Sequence, residues 1–191
     1  MQMNGSRLPR YVHSKPHLYV VSCLASLLTM LVVLLPEANA QTSVNITTYH
    51  YDNMRTGWNN QEASLTPTNV KSSQFKLLAS TPLDEQVDAQ PLLLTNQTIM
   101  PPAPTPPSTQ NVVYVASENN TIYAIDANSG KILLTKNLGK PVPMASLPGS
   151  CGNNSTVLGI ASTPVIDPTG TPAGTPAIYV MAYTLVGASP V

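Results

Sequence analysis

Residues 112–139 read VVYVASENNTIYAIDANSGKILLTKNLG, and this stretch decides the fold. Its apolar residues come in short blocks that stop at Asn, Asp or Gly. That is the punctuation of strands and turns, not the 3.6-residue period of a helix. Residues 112–117 (VVYVAS) read as a half-buried strand. Glu118-Asn119-Asn120 follows as a tight turn, where Asn tolerates the positive φ that hairpin turns require. Residues 121–126 (TIYAID) form the next strand, 127–130 (ANSG) a second turn, and 131–138 (KILLTKNL) a third strand. In the second turn the Asp126 side chain can accept the N–H groups that follow it, and Gly130 supplies the positive φ that closes it. Three strands joined by turns this short make an antiparallel meander.

Working outward, the same grammar continues without a long helical period. Residues 75–83 and 89–94 (AQPLLL) are expected strands upstream, and 160–167 (IASTPVID) and 177–183 (AIYVMAY) are expected strands downstream. Residues 95–111 carry Pro101, Pro102, Pro104, Pro106 and Pro107. Proline lacks the N–H that a ladder needs, so this stretch is expected to lie outside any sheet. Residues 139–158 read as a loop, and 41–74 as a polar extension anchored by Tyr49, Tyr51, Trp58 and Leu65. A Pro-bearing apolar strand followed by a Tyr-Val strand occurs twice (Tyr114-Val115 and Tyr179-Val180). The spacing is roughly 65–75 residues, longer than a repeat unit of about 40–50, and the loop at 139–158 accounts for the excess. Repeated strand-turn-strand units indicate a stacked or radial β-architecture.

Composition agrees. Of 191 residues only 9% are charged, Lys+Arg and Asp+Glu are 9 each, and Pro numbers 19. Long surface helices need Glu, Lys and Arg, which are scarce. A neutral chain has no basic surface with which to neutralise phosphates, which argues against a nucleic-acid partner. The first 40 residues read as an export signal. Arg7, Arg10 and Lys15 form a positive start, 18–35 (LYVVSCLASLLTMLVVLL) is an apolar run, and Pro36 breaks it before Ala38-Asn39-Ala40 and Gln41. Small residues at those positions mark a cleavage site. The alternative is a retained inner-membrane anchor, since the run is just long enough to cross a bilayer. Cys23 is not a lipid attachment point, because most of the apolar run follows it. Cleavage leaves six basic and eight acidic residues and a single cysteine, Cys151, so no disulfide forms within the chain and Cys151 is expected either to be buried or to find its partner in sequence not present here.

With these residues laid out, 112–139 resembles a quinoprotein-type (PQQ-like) β-propeller repeat. Tyr114, Val115, Tyr123, Ala124, Asp126, Gly130 and Lys131 stand in the register of that repeat. Leu134 occupies the position where the family has a Trp that docks between blades. The flanks YHYDNMRTGWN (49–59), LTPTNV (65–70) and Cys151-Gly152-Asn153 leading to GIASTPVID resemble the start of secreted bacterial propellers. The resemblance implies an all-β fold: a partial propeller of about two four-stranded antiparallel blades behind a signal peptide. It divides the chain into 1–40 (signal), 41–74 (extension) and 75–191 (incomplete repeats), exported to the periplasm or beyond. An arc of two blades leaves strand edges open, so a truncated product, missing blades or a protein partner is expected.

Family dehydrogenases hold PQQ beside a metal bound by Glu, Asn and Asp, with a catalytic Asp and a vicinal cysteine pair. No such set stands in this chain, so no cofactor is expected, and PQQ with Ca²⁺ enters only if the chain is part of a longer propeller. The acidic cluster Asp84, Glu85 and Asp88 reads as a solvated loop between strands. His50, Asp52 and Arg55 have no nucleophile beside them and read as structural, with Arg55 paired to Asp52. Asn45, Asn96, Asn119, Asn153 and Asn154 fit N-x-Ser/Thr, as chance allows in a chain this rich in Asn, Ser and Thr. Tyr114, Tyr123 and Tyr179 read as core. The function expected is a non-enzymatic binding or structural module; the alternatives are the N-terminal part of a quinoprotein oxidoreductase and a scaffold resembling outer-membrane assembly propellers.

Overall fold

The structure is a computed structural model that describes residues 44–73, 75–100, 106–149, 154–170, 176–187 and 189–190. The export signal with Cys23, as well as Cys151, Asn153, Pro101, Pro102 and Pro104, lies outside the described residues. No α-helix occurs among the described residues, and no helix there is long and apolar enough to cross a membrane. The fold is all-β and its pairing antiparallel throughout.

Its centre is a four-stranded sheet in the order β1-β2-β3-β4: β1 Leu92–Ile99, β2 Ser108–Ala116, β3 Thr121–Asp126 and β4 Ile132–Asn137. The meander expected at 112–138 is present, and β3 coincides with the expected strand. Its turns also behave as expected. Asn120 sits at φ 58 and Gly130 at φ 70. Asp126 Oδ1 accepts the Asn128 N–H at 2.7 Å and the Ser129 N–H at 3.3 Å.

Successive residues point to opposite faces of a strand. On one face Val112, Ala124 and Ile99 are buried with Tyr114 and Leu133 against them. On the other, Val115, Tyr123 and Ile125 form a cluster covered by Leu83. A hairpin of β7 Val165–Asp167 and β8 Ala177–Tyr179 lies against the first face. Ile166 and Ile178 pack there on Leu92, Leu94 and Tyr114. Four further short strands form two pairs: β5 Val142–Pro143 with β6 Val157–Leu158, and β9 Leu185–Val186 with β10 Ser189–Pro190.

Several expectations need correction. Residues 75–83 are not a strand. Phe75, Leu77 and Leu78 are exposed, and only the end of the segment meets the sheet. Leu83 packs on the face, and the Thr81 hydroxyl donates to the Gly130 carbonyl at 2.6 Å. The proline-rich stretch does enter the sheet in part. β1 continues to Ile99 and β2 begins at Ser108, with Gln97, Thr98 and Ile99 opposite Gln110, Thr109 and Ser108. Pro106 and Pro107 precede β2, and the residues of β1 and β2 that pair here all carry N–H groups. A register shift between Leu94 and Gln97, with Asn96 at φ 56, makes a bulge there. Residues 139–158 are not wholly loop, since they contain β5 and β6, with Val142 fully buried. Residues 160–167 and 177–183 form shorter strands than expected, three residues each.

The extension is anchored by other residues than those expected. Tyr49, Trp58 and Leu65 are exposed. Ile46 instead exchanges backbone hydrogen bonds with Leu93 at 2.8 and 2.9 Å, and the Thr47 carbonyl accepts the Ile166 N–H at 2.8 Å. This short run therefore bridges β1 and β7.

Candidate functional site: the buried polar turn between β2 and β3

The repeat residues form a frame, not a reactive group. Ala124 is buried in the sheet and Tyr114 lies half-buried beside it. Asp126 and Gly130 shape one turn, and Lys131 contributes its carbonyl to the Asp126 N–H at 2.9 Å. The Tyr123 hydroxyl accepts the Asp84 N–H at 3.3 Å. Burial raises the pKa of both Tyr114 and Tyr123.

The unusual chemistry lies at the other turn. Ser117, Glu118, Asn120 and Thr121 are all buried, although each is polar or charged. Buried polar groups must find partners, and those partners define the site. On one side stands Asp84. Its carboxylate accepts Ser117 Oγ at 2.6 Å, Asn119 Nδ2 at 2.8 Å and Thr121 Oγ1 at 2.5 Å. Burial pushes its pKa up, but the hydrogen bonds from Ser117, Thr121 and Asn119 outweigh this and hold it at about 2. Asn137 Nδ2 extends the network to the Asn119 carbonyl (2.8 Å) and Thr121 Oγ1 (2.9 Å).

On the opposite side the turn meets a distant part of the chain. The Glu118 N–H donates to the Gln86 carbonyl at 2.9 Å, and Glu118 Oε2 accepts the Gly159 N–H at 2.7 Å. Glu118 Oε1 has no hydrogen-bond partner. Asn120 Nδ2 donates to the Tyr183 carbonyl at 2.7 Å, while its Oδ1 has none. The Tyr183 N–H closes the circuit on the Gly159 carbonyl at 3.2 Å. Gly159 has no room for a side chain: a Cβ there would lie 2.6 Å from Asn120 Oδ1 and 2.8 Å from the Glu118 carbonyl carbon. The pKa of Glu118 is raised, first by burial and then by Asp88 and Glu85, against the lowering effect of the Gly159 N–H.

This arrangement holds the chain together and does not activate a nucleophile. The Ser117 and Thr121 hydroxyls face a carboxylate with a pKa of about 2, far too weak a base to take a proton near neutrality. No group of three or more His, Cys, Asp or Glu that could hold a metal ion occurs among the described residues. The acidic cluster is more than a solvated loop, because Asp84 is tied to the turn and Asp88 and Glu85 act on Glu118.

The expected Arg55–Asp52 pair is not formed. Arg55 NH1 donates to Thr48 Oγ1 at 2.5 Å and the Tyr49 carbonyl at 2.7 Å. Asp52 instead accepts the Thr56 hydroxyl (2.5 Å) and N–H (3.1 Å), and these bonds lower its pKa. The Thr56 groups lie four residues on in the same turn, which places them nearer to Asp52 than the Arg55 head can reach once it turns back to Thr48. His50 stacks on Tyr49 at 3.9 Å, and His50, Tyr51 and Arg55 all have positive φ. Among the sequons, Asn45 Oδ1 accepts the Thr95 N–H and hydroxyl, and Asn119 is occupied by Asp84.

Leu134 borders an open cleft of about 300 Å³ lined by Tyr114, Ile122, Ala124, Lys136 and Ile178. Sequence reasoning passed over Glu118, Asn120 and Gly159 as functional residues. A Glu-Asn-Asn turn looks solvated when the segment that covers it lies far along the chain. No protein-family model, curated protein or solved structure matches this chain.

Proposed function

We propose that this chain is an exported β-propeller repeat segment that serves as a binding or structural module. The observation that carries the reading is the four-stranded antiparallel meander with Asp126 and Gly130 at its β3–β4 turn. A second antiparallel hairpin, β7–β8, lies against one face of that meander, as one blade lies on the next in a radial arrangement. Export rests on the leader at residues 1–40, with its Ala-x-Ala ending. A protein partner would add to the outer edge of β4, the last strand of the sheet, where Ile132 and Leu134 are exposed. The hydroxyl–carboxylate network around Asp84 has the character of a brace, which favours a module without catalysis.

The test is reconstitution. Full-length protein is titrated with PQQ and Ca²⁺ while the quinone absorbance and dye-linked alcohol oxidation are followed. The module reading expects neither to change. A saturable spectral shift with dye reduction would replace it with the quinoprotein oxidoreductase reading.

A further inference from the structure

Tyr114, Ala124 and Leu134 stand opposite one another across β2, β3 and β4, and Ile122 stands opposite Lys136 in a neighbouring row. Side chains directly opposite across a ladder share a face of the sheet. Ala124 is the small member of its row, so a hollow opens between Tyr114 and Leu134. Ile178 of the β7–β8 hairpin, packed against Leu92, Leu94 and Ile166, supplies a further wall. The result is the open cleft of about 300 Å³, at the low end of the size range of small-molecule sites. Its lining is apolar apart from Tyr114, Thr135 and Lys136, and no carboxylate lines it. Among the described residues neither the Tyr114 hydroxyl nor the Lys136 ammonium has a hydrogen-bond or ion-pair partner. We propose that this cleft binds a medium-chain monocarboxylate, its acyl chain laid over Ala124 between Ile122, Leu134 and Ile178, and its carboxylate held by Lys136 and the Tyr114 hydroxyl.

Each part of the ligand answers to a part of the cleft. Ile122, Leu134 and Ile178 are aliphatic, and removing them from water favours a flexible acyl chain. One cation beside one phenol balances a monoanion, whereas a doubly charged phosphate would leave a charge unmatched. Burial raises the pKa of Tyr114, so its hydroxyl keeps the proton that it donates. Lys136 is exposed. Its stem adds apolar contact while its ammonium stays at the wet rim, so the cation is not stranded when the cleft is empty. The cleft lies on the face of the sheet and the β4 edge lies beside it, so octanoate binding and partner addition at that edge stand or fall separately.

The experiment is a titration of the ¹⁵N-labelled full chain with sodium octanoate, below its micelle-forming concentration, followed by NMR at the Ala124, Leu134 and Ile178 amides. Saturable shifts confined to the cleft are expected. Hexanoate, two methylenes shorter, binds about tenfold more weakly. Octan-1-ol, which keeps the chain and lacks the charge, binds about fivefold more weakly than octanoate, the worth of one exposed ion pair. Lys136→Met keeps the apolar stem, so it weakens octanoate about fivefold and leaves octan-1-ol unchanged. Leu134→Trp fills the cleft and abolishes the shifts from both. Absence of saturation, or octanoate binding that Lys136→Met leaves unchanged, overturns the proposal. So do shifts spread equally over exposed Trp58 and Phe75, which mark a detergent-like coating. The same cleft shifts on concentrating the protein without ligand also overturn it, because a second copy is then the occupant. Should Leu134→Trp not fold, the exposed Lys136→Met variant still decides the matter.

Discussion

Gly159→Ala tests the packing of the polar turn most directly. The added Cβ would lie 2.6 Å from Asn120 Oδ1 and 2.8 Å from the Glu118 carbonyl carbon, closer than real Cβ atoms come. Neither neighbour is a loose side-chain end. The Glu118 backbone is held by the Gln86 carbonyl at 2.9 Å, and the Asn120 side chain by Tyr183 at 2.7 Å. The two segments must separate by about 1 Å, which puts the Gly159–Glu118, Asn120–Tyr183 and Tyr183–Gly159 bonds beyond hydrogen-bonding range. Two or three bonds at about 1 kcal/mol each, together with about 1–2 kcal/mol of overpacking strain, give a loss of about 3–5 kcal/mol. Urea unfolding reads this as a midpoint lowered by about 2 M, for a slope of about 2 kcal/mol per M. Gly57→Ala is the control. It has φ +65 and nothing within 4 Å, so it isolates the backbone cost of about 1 kcal/mol. If Gly159→Ala is no worse than Gly57→Ala, the turn is not packed as described.

Three other substitutions probe separate parts of the molecule. Leu134→Trp should fill the cleft beside Tyr114 and Ile178; about 50 Å² of further apolar burial is worth about 1 kcal/mol, measured as a higher urea midpoint. Asp84→Asn should flatten the acid limb of stability. The depressed pKa means the wild-type contribution is present above pH 3.8 and lost as pH falls through about 2. Solvent screening at this exposed carboxylate limits the effect to about 1 kcal/mol, read by comparing urea midpoints at neutral and acid pH. Asn120→Asp replaces the donor to the Tyr183 carbonyl with a buried charge and should cost about 3 kcal/mol at neutral pH, with partial recovery in acid, followed by thermal unfolding.

The parts of the fold that were legible are those whose determinants are local. Alternation in VVYVAS and TIYAID, with Asn120 and Asp126–Gly130 as turn chemistry, sets β2, β3 and β4 without help from elsewhere. Reading failed where the outcome depended on what lay opposite. Residues 75–83 have the composition of a strand, but Leu83 packs on Val115 and Tyr123 while Phe75, Leu77 and Leu78 stay exposed and unpaired with any strand. The rule against proline in sheets was applied too widely: it governs the prolines themselves and leaves Thr98 and Thr109 free to pair. Trp58 and Tyr49 look like anchors because they are large, yet Ile46 holds the segment through its backbone, which carries no signal in residue type. The candidate site was the least legible part. Burial of Glu118 and Asn120 is decided by Gly159 and Tyr183, and a glycine gives no sign in sequence that its missing side chain is the reason it is there.

The reach of the polar turn has a consequence for the order in which the molecule assembles. Within the four-stranded sheet β1 to β4 follow one another in chain order, so the meander closes through short loops at small entropic cost. The bonds from Glu118 to Gly159 and from Asn120 to Tyr183 span 41 and 63 residues. A chain delivered N-terminus first completes its four strands at Asn137, before either partner has arrived. In that interval the turn is wet, and its carboxylate and amides keep this end of the half-built sheet hydrated while one apolar face still waits for Ile166 and Ile178. Docking of the later segment then strips the water from both at once. The same side chains thus serve as a solubilising tip early and as a clasp late, and the dehydration of Glu118 marks the point at which the Gly159 segment has docked.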